Sequence, residues 1–189
     1  MKFFARILTL GLIIMPVLAY SHGAPRLQVK ESITINAAPA TVWETIKNFD
    51  SLHQWHPAVK STEATGGNEA GATRTLTLEG GATIEEVLKK FDADKMTVMY
   101  AITKISAAGE VDDDGHPHEV PAVPVSKYKS WLSVQATDGG SKVSWKGKFF
   151  RAYHGKHTPP VELNDETAKN AISGIYKAGL ENLKTQLEK

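Results

Sequence analysis

The segment Pro39-Ala40-Thr41-Val42-Trp43-Glu44-Thr45-Ile46-Lys47-Asn48-Phe49, followed after five residues by Trp55-His56-Pro57, decides the fold. Pro39 suits the first turn of a helix, where its missing N–H is not needed. Val42, Trp43, Ile46 and Phe49 then recur at helical spacing and share one face. Directly upstream, Leu27 to Ile35 alternates as a half-buried strand does. Ser51 to His56 reads as a second short helix or turn. A strand, an amphipathic helix and a tryptophan-histidine-proline turn therefore open the folded part of the chain.

Before that strand stands a targeting pattern. Lys2 and Arg6 precede an uncharged run, Ile7 to Ala19, broken only by Thr9, Gly11 and Pro16. The run falls short of the about 20 residues a membrane span needs. Ala19-Tyr20-Ser21 places small residues at the −3 and −1 positions of a cleavage site. Residues 1–21 are thus expected to be a signal peptide and 22–189 a single exported domain; an uncleaved N-terminal anchor is the alternative. Losing Lys2 and Arg6 takes the formal charge from +1 to −1. A near-neutral chain has no general electrostatic reason to bind nucleic acid, and no membrane association is expected after cleavage.

The chain has no cysteine. An exported protein without disulfides draws its stability from its core, and a chain of this size can bury roughly 70% of its unfolded surface. Thiolate metal sites, cysteine nucleophiles and covalently held haem are excluded.

Further along, Val59 to Thr65 is a candidate strand ended by Gly66-Gly67. Arg74 to Leu78 alternates and turns at Gly80-Gly81 into Thr83 to Phe91. Met96, Val98, Tyr100 and Ile102 share one face of the next strand. Tyr128 to Val134 and Val143 to Phe150 flank Asp138-Gly139-Gly140, a strong turn signal. In the last strand Val143, Trp145, Gly147 and Phe149 take one side, and Lys142, Ser144, Lys146 and Lys148 the other. The closing element is the longest helix, about Asp165 to Leu187, with Asn164 as N-cap and Asp165 and Glu166 at the positive end of its dipole. Its apolar stripe comprises Ala168, Ala171, Ile172, Ile175, Tyr176, Gly179, Leu183 and Leu187. Strands in meander order followed by one long helix define an α+β, helix-on-sheet fold.

Two polar stretches invite a chemical reading. Gly109 to Glu119 is acidic and carries His116 and His118. Its spacing does not match a calcium loop, and two histidines two apart rarely make a tetrahedral site alone, so a solvated loop is expected and no metal. Arg151 to Pro160 joins the last strand to the long helix and reads either as a binding loop or as a connection of turn residues, the latter favoured for His157. No Ser/His/Asp or paired-carboxylate spacing is legible, so no catalytic residue is assigned. Glu31 shares the inward phase of Leu27, Val29, Ile33 and Ile35. It either faces a cavity or a partner, or sits at a bulge or edge in solvent; the two stand level. An inward Glu31 would be the first acid–base candidate and His56 the next.

The opening strand, helix and W-H-P turn resemble the START-like, or SRPBCC, superfamily. Ile84-Glu85-Glu86-Val87-Leu88 with Phe91-Asp92, Tyr100-Ala101-Ile102, Pro124 to Trp131 and Val143 to Phe149 resemble its polyketide cyclase/dehydrase-like branch. The resemblance implies a helix-grip fold: a curved antiparallel sheet wrapped around a long C-terminal helix, two short helices after the first strand, and a ligand cavity between sheet and helix. The cavity lining it implies is Glu31, Trp43, Trp55, His56, Leu76, Tyr100, Tyr128, Trp145, Phe149 and Tyr176, around a small apolar ligand.

The tail is narrower in its likeness. Phe149 to Tyr153, Pro159 to Glu166 and Ile175 to Lys184 resemble the MxaD family of exported accessory proteins of bacterial methanol oxidation. That likeness implies a periplasmic, non-enzymatic helper, without cofactor, acting around methanol dehydrogenase and its cytochrome c acceptor. Lys142, Lys146, Lys148 and Arg151 are the candidate patch for an acidic partner. A hydrophobic-ligand carrier, or a cyclase/dehydrase-type enzyme using the same cavity, is the alternative.

Overall fold

A computed structural model describes residues 24–113, 115–155 and 157–189. The expected signal peptide lies outside the described residues. The elements run β1 (Leu27–Ile35), α1 (Pro39–Ile46), α2 (Leu52–Trp55), β2 (Val59–Thr65), β3 (Thr73–Leu78), β4 (Thr83–Asp92), β5 (Thr97–Ile105), β6 (Ala107–Asp113), β7 (His116–Pro121), β8 (Val125–Thr137), β9 (Gly140–Arg151) and α3 (Asp165–Leu187). Seven strands form one curved antiparallel sheet in the order β1-β9-β8-β5-β4-β3-β2, and β6 and β7 form a separate two-stranded sheet. This is the helix-grip fold the sequence implied.

Local chemistry accounts for the elements. Pro39 starts α1, whose Val42, Trp43 and Ile46 are buried. The Asn164 side chain accepts the Thr167 N–H at 2.8 Å and caps α3. The buried face of α3 carries Ala168, Ile172, Tyr176, Gly179 and Leu183 as its apolar stripe predicts, and Leu180 besides.

The long helix lies against β1 and β9. Two polar ties hold it there: Ser173 Oγ donates to Glu31 Oε1 at 2.5 Å, and Lys184 Nζ donates to the Thr34 carbonyl at 3.0 Å. The helix therefore covers one half of the concave face. The other half, β3 to β5, curls past it and leaves a wedge of space between.

The acidic stretch is not a loop. Residues Ala107–Asp113 and His116–Pro121 pair as an antiparallel ribbon outside the main sheet. Asp112 Oδ1 accepts the Gly115 N–H at 2.9 Å, and Gly115 has φ +81°, so a turn of Asp and Gly chemistry folds the stretch back on itself. One face of the ribbon holds the half-buried Val111, Asp113, His118 and Val120 and the other is exposed; two valines among charged residues give too little apolar alternation for strand patterning to show. Asp113 Oδ2 accepts the Tyr153 hydroxyl at 2.8 Å and lies 3.6 Å from His118 Nε2, tying the ribbon to the segment after β9. No group of three or more metal-ligating side chains occurs among the described residues.

Candidate ligand cavity

The wedge is a cavity lined mainly by apolar side chains. Leu76, Leu78, Ile84 and Ile102 come from the sheet, Ile172 and Ile175 from α3, and Leu52, Ala58 and Val59 from α2 and the start of β2. The cavity volume is about 80 Å³, several times the roughly 10–15 Å³ that one water needs. Four side chains with polar or titratable groups also line it, His56, Glu86, Tyr100 and Tyr128, together with the Trp145 indole.

His56 is locked. Its Nδ1 accepts the Ala58 N–H at 3.2 Å, so its Nε2 carries the proton and donates to the Ile175 carbonyl at 3.0 Å. Burial lowers its pKa below the ordinary 6.5, against the opposing pull of its bonds to the Ile175 carbonyl and to its own backbone. A neutral ring with both nitrogens occupied has no free position for proton transfer.

Glu86 and Arg74 are both buried and directly opposite across β4 and β3. Arg74 Nε donates to Glu86 Oε2 at 2.6 Å and its Nη1 to the Phe49 carbonyl at 2.9 Å, while the guanidinium lies 4.2 Å from the Phe49 ring centroid and 4.9 Å from that of Tyr100. Burial pushes the Glu86 carboxyl up, and Arg74 opposes that rise. The sequence reading passed over this pair. Alternation alone reveals it: Arg74 shares the phase of Leu76 and Leu78, and Glu86 that of Ile84 and Leu88.

Behind the cavity wall runs a chain of hydroxyls. Trp145 Nε1 donates to Tyr100 Oη and Ser130 Oγ, each at 2.9 Å. Ser130 Oγ donates to the Lys146 carbonyl at 3.1 Å and contacts Tyr176 Oη at 3.1 Å, which in turn lies 2.5 Å from Tyr128 Oη. Burial raises the pKa of Tyr128 and Tyr176 well above 10, and that of Tyr100 to about 12. All three phenols keep their protons near neutral pH.

Of the ten residues expected in the lining, the structure gathers His56, Leu76, Tyr100, Tyr128 and Trp145 around the cavity. The other five stand elsewhere. Glu31 does share the inward phase of β1, but β1 is an edge strand under α3, and its carboxylate meets Ser173 and, at 4.0 Å, Lys177 at the helix flank. Trp43 stacks on Phe91 with ring centroids 5.5 Å apart and belongs to the core. Trp55 packs against the Trp145 ring at 5.5 Å, beside a smaller void. Phe149 stacks behind Tyr128 at 6.1 Å. Tyr176 lies one layer back, flat on Trp145. Alternation gives the face a residue takes, but the position of α3 decides which part of that face stays open.

The expected lysines stand on the convex face. Lys146 lies 4.7 Å from the Trp131 ring centroid. Lys30 is directly opposite Lys146, and Lys129 directly opposite Lys148. The outward residues of β1, β8 and β9 include no carboxylate. Arg151 is not part of that patch. It is half-buried, donates to Asp165 Oδ1 at 2.9 Å and to the Tyr153 carbonyl at 3.0 Å, and so anchors the start of α3.

A curved sheet gripping one long helix over an apolar cavity defines an SRPBCC-like protein. The model of the polyketide cyclase/dehydrase and lipid transport family matches residues 26–188, and the chain belongs to that family. Among solved structures it is similar to the protein XoxI from Bacillus cereus, at 30% identity over 85% of this chain and 94% of that one, with a TM-score of 0.65. An uncharacterized protein from Bacillus thuringiensis is similar at 28% identity, covering 86% of this chain and all of the other, with a TM-score of 0.66. The Zhui aromatase/cyclase from Streptomyces sp. R1128 shares the fold at 12% identity over 87% of this chain and 94% of its own, with a TM-score of 0.61. No curated protein matches the chain. Among the described residues, no helix is long and apolar enough to cross a membrane.

Proposed function

We propose that this chain is a non-catalytic binding protein that holds a small, largely apolar molecule in the wedge between α3 and the sheet. One observation carries the reading: His56 and Glu86, the histidine and the carboxylate at the cavity, are both engaged with protein partners. His56 is neutral with both nitrogens bonded, and Glu86 is held by Arg74. General acid–base catalysis needs a group free to exchange a proton with substrate, whereas apolar walls with a few fixed polar groups suit binding. The test is a titration with small cyclic hydrocarbons and ketones, followed by the amide NMR shifts of Leu76, Ile84 and Ile172. Binding without turnover supports the proposal. Chemical conversion of a bound ketone or polyketide-like substrate replaces it with an enzyme.

A second feature favours a more specific role. The tail resembles the MxaD family, and the convex face opposes lysine to lysine with no carboxylate between. On that basis the protein acts in the periplasm as an accessory of methanol oxidation, presenting its lysines to methanol dehydrogenase or its cytochrome c acceptor. Methanol-dependent cytochrome reduction, measured with and without the protein, tests this role. An unchanged rate at every protein concentration rejects it.

A further inference from the structure

The convex face of β5, β8, β9 and β1 is laid out in rows. Thr97, Ser133 and Ser144 stand directly opposite one another across β5, β8 and β9. Trp131, Lys146 and Lys30 form the neighbouring row on β8, β9 and β1, and Gln135 faces Lys142 in the row on the other side. Short hydroxyl side chains thus lie between two banks of long ones, and the result is an open groove of about 270 Å³. Lys95 reaches the groove from the turn before β5, where Thr97 Oγ1 donates to the Lys95 carbonyl at 2.9 Å.

The groove is built to donate. Its polar side chains all carry donor groups, among them the ammonium groups of Lys30, Lys95 and Lys146, and no carboxylate among the described residues lines it. Asp92, directly opposite Thr97 on β4, meets Lys90 at 3.1 Å and Lys95 at 4.0 Å, so that corner keeps a surplus of positive charge. The Lys146 ammonium lies 4.7 Å from the Trp131 ring centroid, which holds this charge at the groove wall. Trp131 is also the one tryptophan of the four that is not buried. A half-buried indole ringed by polar side chains fits the anchor of a protein-binding hot spot. A lone small anion gains little at exposed lysines, which water and salt screen. Insertion into a bilayer needs exposed apolar side chains, and Val161, outside the sheet, is the one large hydrophobic residue fully exposed among the described residues.

We infer that the groove over Ser133 and Ser144, walled by Trp131 with Lys146 and Lys30 and joined by Lys95, is the docking site for an acidic segment of a partner protein. This deepens the docking role proposed above and rests on it. The segment brings carboxylates to the three lysines, and the serine hydroxyls and the Trp131 ring lie beneath it. Lys142 and Lys148 then steer the approach from either side, and Arg151 takes no part.

The experiment titrates a peptide of repeated Glu-Gly units, with the matching Gln-Gly peptide as neutral control, into wild type and into the double variant Lys30→Gln, Lys146→Gln. Removing the opposed lysines relieves a repulsion, so the variant should fold at least as well as wild type. It is expected to bind the acidic peptide about tenfold more weakly, since each exposed ion pair contributes a small share. Binding should shift the Trp131 emission, and Trp131→Phe should abolish that response, because the other three tryptophans are buried. NMR amide shifts centred on Ser133 and Ser144 that weaken in the double variant support the groove. Acidic-peptide binding of equal strength to both forms overturns the groove and leaves docking to the rest of the convex face. No acidic-peptide binding to wild type overturns the groove and the docking role together. Equal shifts from inorganic phosphate at the same concentration would reduce the site to ordinary ion attraction. An emission shift with phosphatidylglycerol vesicles but none with the peptide would make it a membrane contact. Either of these last two results also overturns the proposal.

Discussion

The rings of Trp145 and Tyr176 lie flat on each other, with centroids 4.5 Å apart and 9° between their planes. One comes from the sheet and the other from α3, so this stack sets how closely helix and sheet approach. Two glycines make room for it. A Cβ at Gly147 would sit 2.5 Å from Tyr176 Oη, and one at Gly179 would sit 2.6 Å from His56 Cδ2 and 3.0 Å from Trp145 Cζ3. The cavity wall and the helix register are thus defined by the same few contacts.

Gly174 and Gly179 stand in the same helix and should respond oppositely to alanine. At Gly174 nothing lies within 4 Å of a new Cβ, so Gly174→Ala should stabilise by up to about 1 kcal/mol through helix propensity. At Gly179 the clash with His56 and Trp145 outweighs that gain, and Gly179→Ala should destabilise by about 1–3 kcal/mol. Urea unfolding of the two variants measures both signs. Stabilisation by Gly179→Ala would mean that the helix rides higher above the sheet than described.

The Arg74–Glu86 pair should behave as a buried pair does. Removing one partner strands the other charge, so Arg74→Met or Glu86→Leu alone should cost about 3–5 kcal/mol. The double variant should recover most of that loss, because two apolar chains can fill the same space. A double-mutant cycle in chemical denaturation reads the coupling directly. Additive losses would show that the two charges do not depend on each other.

How far the sequence revealed these relations depends on the length scale involved. The helix face of Val42, Trp43 and Ile46, the split of β9 and the cap at Asn164 all follow from local spacing, and the structure carries each of them. What spacing cannot supply is the lateral position of α3 over the sheet. Trp43 and Phe149 point inward as expected yet lie outside the cavity, because the helix, α1 and neighbouring rings fill the space before them. Glu31 faces inward on an edge strand, where Ser173 and Lys177 meet its carboxylate; alternation gives its face, and only the placement of α3 gives its partners. The β6–β7 ribbon is hidden for a different reason: its one half-buried face mixes Val111 and Val120 with Asp113 and His118, which leaves almost no hydrophobic period to find.

His56 predicts an acid-sensitive stability. Its folded pKa is lowered by burial, so below pH 6.5 the unfolded chain takes up a proton that the folded chain resists. Its contribution to stability is therefore complete above about pH 6.5 and declines as pH falls, until pH passes the folded pKa. The slope is at most about 1.4 kcal/mol per pH unit for one proton. Denaturation midpoints between pH 8 and pH 5 should fall more steeply in wild type than in His56→Gln, whose amide can still accept from Ala58 or donate to Ile175. Parallel curves for the two proteins would show that His56 titrates freely in the fold.

The convex face should trade stability against association. Lys30 opposes Lys146, and Lys129 opposes Lys148, and like charges directly opposite destabilise a sheet. Lys30→Glu and Lys129→Glu turn both into opposite-charge pairs and leave the Lys146–Trp131 contact untouched. Together they should stabilise the fold by a few tenths to about 1 kcal/mol, since exposed pairs contribute little each. If the face docks an acidic surface of methanol dehydrogenase or its cytochrome acceptor, the same double variant should slow association in stopped-flow mixing. Added salt should slow the wild type in the same way, because exposed charges are screened over about 8–10 Å. Glu31→Gln, on the far side of β1, should leave the association rate unchanged. A variant that gains stability and associates as fast as wild type would free the lysines of any docking role and leave the cavity as the working site.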